Sequence, residues 1–295
     1  MNERRQGILA GVLSNIIWGV LPIYWHALRP IDSGVIIFYR IFLCAVSSYF
    51  AARAKYSREE LFAPMKDRKL LAKFLCAGVL ITLNWSLYIW AVNANHVIET
   101  SIGYYIEPVV VCCFGVLFFG DRLSKYKGIA LAFAAAGIAV IVLYYRRIPL
   151  ISLALALSFS LYGAAKKGLS QPPILSLFYE TIFLSPIALG VILYLEGTGQ
   201  GAFAVVSDAP WKLLMLLFAG ILTATPLMLF AESANKAGLF ATGLCGYISP
   251  TISLFLSIYL FREPFEPVQA IAFAVIWVGL GFFTYGELKE PSPND

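Results

Sequence analysis

The amino-acid sequence predicts an all-α integral membrane protein of ten transmembrane helices, arranged as two inverted five-helix repeats. Three observations carry that prediction. Of the 295 residues, 60% are hydrophobic and only 13% are charged. That is about half the charged share of a water-soluble domain, so most of the apolar surface must face lipid. The apolar residues fall into ten runs, each close to the ~20 residues that a helix needs to cross a bilayer. Finally, Ile102-Gly103-Tyr104-Tyr105-Ile106-Glu107-Pro108 returns as Gly246-Tyr247-Ile248-Ser249-Pro250, and each copy is followed by a further apolar stretch.

The first five runs cover 7–28, 33–52, 70–92, 101–120 and 128–145, and the second five 149–165, 174–195, 213–234, 240–261 and 267–285. The first follows Arg4 and Arg5 but is too long for a secretory signal. Its end, with Pro22, Tyr24 and Trp25, is bulky where a cleavage site needs small residues. With the N-terminus inside, sixteen Lys and Arg fall on inner segments and five on outer ones. This is the positive-inside bias, and it places both termini in the cytoplasm. The net charge of +5 is thereby explained by topology, and no nucleic-acid partner is expected.

The longest inner connection, 53–69, contains Ser57-Arg58-Glu59-Glu60, the spacing of a capping box. It predicts a short interfacial helix with Leu61 and Phe62 towards lipid. The outer connection 196–209, with Gly197, Gly199 and Gly201, reads as a flexible loop. All five cysteines (Cys44, Cys76, Cys112, Cys113 and Cys245) lie in apolar runs without metal-ligand spacing and are expected to be buried, inert thiols. With only His26 and His96 besides, no metal site and no cofactor are expected.

Tyr105 pairs with Tyr247, and the offset of 142 residues holds without a gap from Ala77/Ala219 to Gly137/Gly279. Gly78/Gly220, Asn93/Asn235 and Pro108/Pro250 fall in this frame, and Asp121 meets Glu263. Ser14 and Trp18-Gly19 meet Ser158 and Tyr162-Gly163 at a similar offset. The repeats divide the chain into 1–147 and 148–295, two halves of one membrane domain. Homologous halves with five crossings each must enter the membrane from opposite sides, a pattern typical of secondary transporters. The repeat points to transport and is silent on the solute.

Further residues carry a resemblance. Trp18-Gly19, Tyr39-Arg40, Asn84-Trp85-x-x-Tyr88-Ile89-Trp90-Ala91-Val92-Asn93, Leu161-Tyr162-Gly163, Glu180-Thr181 and Phe119-Gly120-Asp121-Arg122-Leu123 join the paired motifs. Together they resemble the RarD group of EamA-type proteins in the drug/metabolite transporter superfamily, over 7–285. The resemblance implies ten helices around a central cavity in the bacterial cytoplasmic membrane, and the group's traditional label links it to chloramphenicol sensitivity. Two departures stand out: Glu107 replaces a neutral Asn, and Tyr39 replaces His.

An ionised side chain in the bilayer costs at least ~2.5 kcal/mol, so each must face a cavity or a partner. Glu107 lies near the midplane, and Pro108 frees the carbonyl of Tyr104, so acid, open carbonyl and Gly103 share nearly one face. Glu107 is either a protonatable cavity residue that binds a substrate amine or a coupling proton, or a structural acid paired with Arg40. Arg40, in the outer third of its helix, is expected to find Glu107 or Glu99. Glu180 occupies the comparable place in the seventh span, with Lys166 and Lys167 as candidate partners and a gating role as the alternative to anchoring. Glu232 and Lys236 form an i,i+4 surface pair.

Asn84 with Tyr88, Asn15 with Trp18 and Pro22, and Ser158 with Tyr162 either bond between helices or line a cavity for an amphipathic or aromatic solute. Tyr104 and Tyr247 join that set, and Pro108 and Pro250 are candidate kinks in equivalent helices. The expected function is a secondary transporter, in the exporting sense, of small metabolites or drug-like solutes, working by alternating access about a central cavity. An integral membrane enzyme and a receptor or scaffold are the alternatives. The chain shows no nucleophile–base constellation, metal motif or phosphate loop, and a scaffold needs no inverted repeat. The expected partners are a small-molecule substrate, the lipid bilayer and a coupling proton.

Overall fold

The computed structural model describes residues 3–119, 125–146, 148–166 and 171–289. Asp121 and Lys167, with the side chains of Pro108, Cys112, Cys113 and Lys166, lie outside the described residues. The first half contains α1 (Glu3–Ala27), α2 (Ser33–Lys55), a short α3 (Arg58–Phe62), α4 (Arg68–Asn93), α5 (Val97–Phe119) and α6 (Lys125–Tyr145). The second contains α7 (Leu150–Lys166), α8 (Pro173–Ile182), α9 (Ser185–Gly197), a one-turn α10 (Ala202–Val205), α11 (Pro210–Cys245), α12 (Ile248–Tyr259) and α13 (Pro267–Lys289).

Local chemistry starts these helices where it should. Asp32 accepts the Gly34 N–H at 2.7 Å and caps α2. At α3 the capping box is complete: Ser57 Oγ accepts the Glu60 N–H, and the Glu60 carboxylate accepts the Ser57 N–H. Glu263, between α12 and α13, reaches across the molecule and accepts the N–H groups of Val97 and Ile98 at 2.7 and 2.8 Å. It thereby places a carboxylate at the N-terminus of α5, where backbone donors lack partners and the helix dipole favours negative charge.

The inverted repeat is visible in how equivalent helices run past each other. In α6 and α13, Tyr126 meets Tyr285 and Phe133 meets Phe282, while a Cβ on Gly137 would stand 3.1 Å from the Ala272 carbonyl. Numbers rise on one helix as they fall on the other, so the pair is antiparallel. The same holds for α2 against α8 and α9, through Tyr49 with Phe178 and Tyr39 with Glu196. It holds again for α5 against α12, where the hydroxyls of Tyr105 and Thr251 meet at 2.5 Å and Val97, at the start of α5, meets Glu263 beyond the end of α12. Equivalent helices of halves with one orientation would run parallel. Cross-half contacts repeat too: Ser14 Oγ donates to the Pro226 carbonyl, and Asn84 Nδ2 donates to Ser158 Oγ at the repeat-related place.

Three interior clusters fill the bundle. One gathers Trp25, Leu28, Ile36, Ile89 and Leu216 towards the expected outer side, and another holds Leu61, Phe74, Ile81, Phe178 and Tyr179 towards the inner side. The third joins Ile102, Tyr105 and Ile106 to Phe273 and Ile276. The outside is apolar as well, with Leu83, Leu143, Leu193, Phe218 and Ile271 exposed for lipid contact. Exposed Trp90, Tyr144, Tyr194, Trp211 and Tyr259 all sit at helix ends assigned to the outer side, as an aromatic belt does.

Several elements differ from the sequence expectation. Helical hydrogen bonding runs unbroken through α11, across the expected gap at 235–239. The chain still reverses there, because Ser233 and Cys245 both adjoin Gly11. Twelve residues of straight helix would hold them ~18 Å apart. The seventh span is broken at Phe183 and Leu184, and its two parts bend by 51°. Pro186 opens the second part, where its missing N–H costs nothing.

The stretch 196–209 is folded around the Glu196 carboxylate, which accepts the Ala202 and Phe203 N–H groups and the Tyr39 hydroxyl. Leu61 is buried, since Tyr179 donates to its carbonyl and Phe74 stacks on Tyr179; only Phe62 of that pair is exposed. Cys44 and Cys245 are buried as expected, but Cys76 is exposed on the lipid-facing side of α4.

Candidate functional site

Arg40, seven residues into α2, stands ~10 Å from the N-terminal end of its helix. It is only 4% exposed, and among the described residues no carboxylate pairs with it. Its guanidinium carbon lies 4.9 Å from the Trp25 ring centre and 4.4 Å from that of Trp85, so α1 and α4 supply cation–π contacts in place of an ion pair. Nε donates to Thr223 Oγ1 at 3.0 Å, and that hydroxyl donates onward to the Ala219 carbonyl. Nη1 has no hydrogen-bond partner among the described residues. Glu99, the other expected mate, is at the outer end of α5, where its carboxylate meets His96 Nδ1 at 3.0 Å.

Near Arg40 runs a belt of phenols and amides. Tyr88 and Tyr104 meet edge to face with centroids 5.9 Å apart, and Tyr104 meets Phe159, which meets Tyr162. Asn84 is buried and donates to the Leu155 carbonyl and Ser158 Oγ, both at 3.0 Å, while its oxygen lies 3.5 Å from the Tyr104 hydroxyl. The Tyr162 hydroxyl donates to the fully buried Glu180 carboxylate at 2.9 Å. Asn84, Tyr88, Tyr104, Tyr162 and Glu180 are therefore brought together by α4, α5, α7 and α8.

Glu107 sits one helical turn inward of Tyr104, half-buried. Its backbone carbonyl is 3.5 Å from Ser160 Oγ of α7. Among the described residues its carboxylate makes no ion pair, and Arg40 in particular does not reach it. Both charges act on Tyr104, whose phenol lies within Coulombic range of each. A deep acid and a deep base thus flank one tyrosine without neutralising each other.

Other expected site residues fall elsewhere. Gly103 gives no room to a ligand: it is buried against α7, where a Cβ would stand 2.8 Å from the Ser152 carbonyl. Helix α5 runs on through Pro108. Pro250 is not a kink within a helix, because it lies in the first turn of α12 after the chain has turned at Gly246 and Tyr247. Tyr247 accepts at its carbonyl from Thr251 Oγ1 and packs against the cluster that contains Tyr105 and Phe273. Trp18 stacks obliquely on Phe230 with centroids 5.7 Å apart, next to the central cluster. The Glu232–Lys236 pair is present at 2.7 Å on the surface.

The residues that sequence reasoning missed are Trp25, Trp85 and Thr223 around Arg40, together with Glu196 behind Tyr39. Aromatic residues one helix away from a buried cation were the available signal, since indole faces compensate a guanidinium where no carboxylate is near.

The model of the EamA-like transporter family matches this chain twice, over residues 5–143 and 147–285. An uncharacterised transporter of Bacillus subtilis, YojE, is 39% identical, covering 97% of this chain and 96% of that protein. Protein RarD of Streptomyces exfoliatus is 36% identical over 98% of this chain and 91% of its own length. Protein RarD of Escherichia coli is 31% identical over 95% and 94%. One solved crystal structure shares the fold, with a TM-score of 0.63 at 15% identity, covering 95% of this chain and 97% of that one. With two copies of the family's domain, multi-pass apolar helices and relatives of this length, the chain belongs to the EamA-like transporter family, as a membrane transporter of the drug/metabolite transporter superfamily.

Proposed function

We propose that the chain is a secondary transporter that exports small metabolites or drug-like solutes across the bacterial cytoplasmic membrane, with both termini in the cytoplasm. The halves 1–147 and 148–295 rock against each other and open the Tyr88, Tyr104, Asn84 and Tyr162 belt to alternate sides, with Trp18 and Tyr247 at its margins. Glu107 is the protonatable group of the cycle. The observation that carries this reading is a half-buried carboxylate in the fourth span with no cation against it among the described residues. An acid in a bilayer interior is costly when ionised and uncompensated, so it takes up and releases a proton as its access to water changes.

Glu180, held by Tyr162, and Arg40, held by two indoles, occupy comparable places in the two halves and serve as opposite gates. The experiment begins by comparing intracellular and exported metabolites in cells with and without the protein. The solute so found is then followed into proteoliposomes. Glu107→Gln should bind and exchange that solute but lose accumulation driven by a pH gradient. Wild-type accumulation with unchanged dependence on the gradient would refute the role of the acid.

A further inference from the structure

We infer that Arg40 is the anion-binding residue of the transported solute and that this solute carries a carboxylate. The inference rests on the transport reading above and specifies its substrate class. A guanidinium held in a membrane interior is ordinarily matched by a carboxylate, because an unpaired buried charge is strongly unfavourable. Among the described residues the neighbouring acids are otherwise engaged: Glu99 with His96, Glu196 with Tyr39 and Glu180 with Tyr162, while Glu107 makes no ion pair with Arg40. Arg40 is nevertheless 96% buried, since its exposure is 4%.

The shape of the cage says what would complete it. Trp25 and Trp85 lie against the guanidinium, and Nε is committed to Thr223, whose own proton is committed to Ala219. What remains is Nη1, which has no partner among the described residues. The N–H groups of this guanidinium nitrogen offer a carboxylate oxygen a charge-assisted hydrogen bond. A single cation balances a monoanion, whereas a phosphate dianion would leave a net negative charge in a low-dielectric site. Tyr88 and Tyr104, which belong to the same cluster as Trp25 and meet edge to face at 5.9 Å, offer an amphipathic wall for the rest of the solute.

The test uses the full chain in nanodiscs, titrated with 3-phenylpropanoate and hexanoate, each beside its neutral amide, and with inorganic phosphate. Tryptophan fluorescence is the readout, because Trp25 and Trp85 border the site. At least one carboxylate should bind ~10–100-fold more tightly than its amide, the worth of a charge-assisted hydrogen-bonded pair. Arg40→Gln should erase that preference and Arg40→Lys should keep a reduced one. Equal affinity for acid and amide, no binding of either carboxylate, a preference that survives Arg40→Gln, or phosphate binding as tightly would each overturn the inference. If Arg40→Gln does not fold, the wild-type comparison and Arg40→Lys decide. A chain that binds carboxylates selectively but moves no solute in proteoliposomes keeps this site and loses the transport cycle, so the two failures are distinct.

Discussion

Adding one methyl group at Gly137 or Gly279 should force α6 and α13 apart and cost the same in either helix. A Cβ built on Gly137 falls 2.6 Å from Ile276 Cγ1 and 3.1 Å from the Ala272 carbonyl. On Gly279 it falls 2.6 Å from Phe133 Cβ and 3.1 Å from the Ala130 carbonyl. Ordinary contact begins at 3.4 Å, so the helices must part by about 0.8 Å. Neither obstacle is the free end of a flexible side chain. A gap of that size forfeits a quarter to a half of the dispersion energy of each facing atom, along an interface that buries Ala130, Ala134, Ala272 and Ile276.

The expected loss is ~1–3 kcal/mol for either Gly137→Ala or Gly279→Ala, the usual cost of overpacking. Gly281→Ala, on α13 but facing open space, should instead be neutral or gain up to ~1 kcal/mol from helix propensity. The double variant should lose less than the sum, because one separation relieves both clashes. Thermal unfolding of the purified protein in one detergent, followed by size exclusion after heating, measures all four. If Gly137→Ala and Gly279→Ala unfold with Gly281→Ala, the close approach of these helices is refuted; if only one is destabilised, their equivalence is.

Glu263→Ala removes the acceptor of two short bonds and leaves the Val97 and Ile98 N–H groups unpaired. It should cost ~2–4 kcal/mol, and Glu263→Gln, which keeps one oxygen, about half that, by the same unfolding assay; an unaffected Glu263→Ala would show that α5 is capped some other way. Reporters fused after Lys289 should be active only in the cytoplasm and those inserted at Gly199 only outside. Both reporters on one side would defeat the orientation assigned from the basic residues.

Much of the fold was legible because it depends on local or summed properties. The capping box at Ser57 and Glu60 needs only residues three apart, and the Glu232–Lys236 pair only residues four apart. The repeat frame carried further still, since Gly137 and Gly279 make mirrored contacts with carbonyls of Ala272 and Ala130, themselves one offset apart. The partners of buried charges were not legible in the same way. Arg40 chose indoles at positions 25 and 85 over any carboxylate, a choice set by which faces α1 and α4 present after packing. Glu196 was hidden among glycines that read as a loop, although its carboxylate is what organises them.

Positions where the halves differ separate packing from chemistry, provided the opposite wall is considered as well. Gly103 answers to Cys245, an apparent break in the repeat. The break is made good across the interface: Gly103 packs on Leu155, while Cys245 packs on Gly11, which holds the place equivalent to Leu155. Small meets larger in both halves with the roles exchanged, so the difference is one of packing and needs no functional explanation. Glu107 answers to Ser249, and here no such exchange exists, because no described cation faces the acid and none of its neighbours trades a charge for it. A charge introduced into one half of a symmetric membrane bundle, without compensation, is costly to retain for structure alone. That asymmetry, rather than the depth of Glu107 by itself, is the support for the role proposed for this acid in the transport cycle.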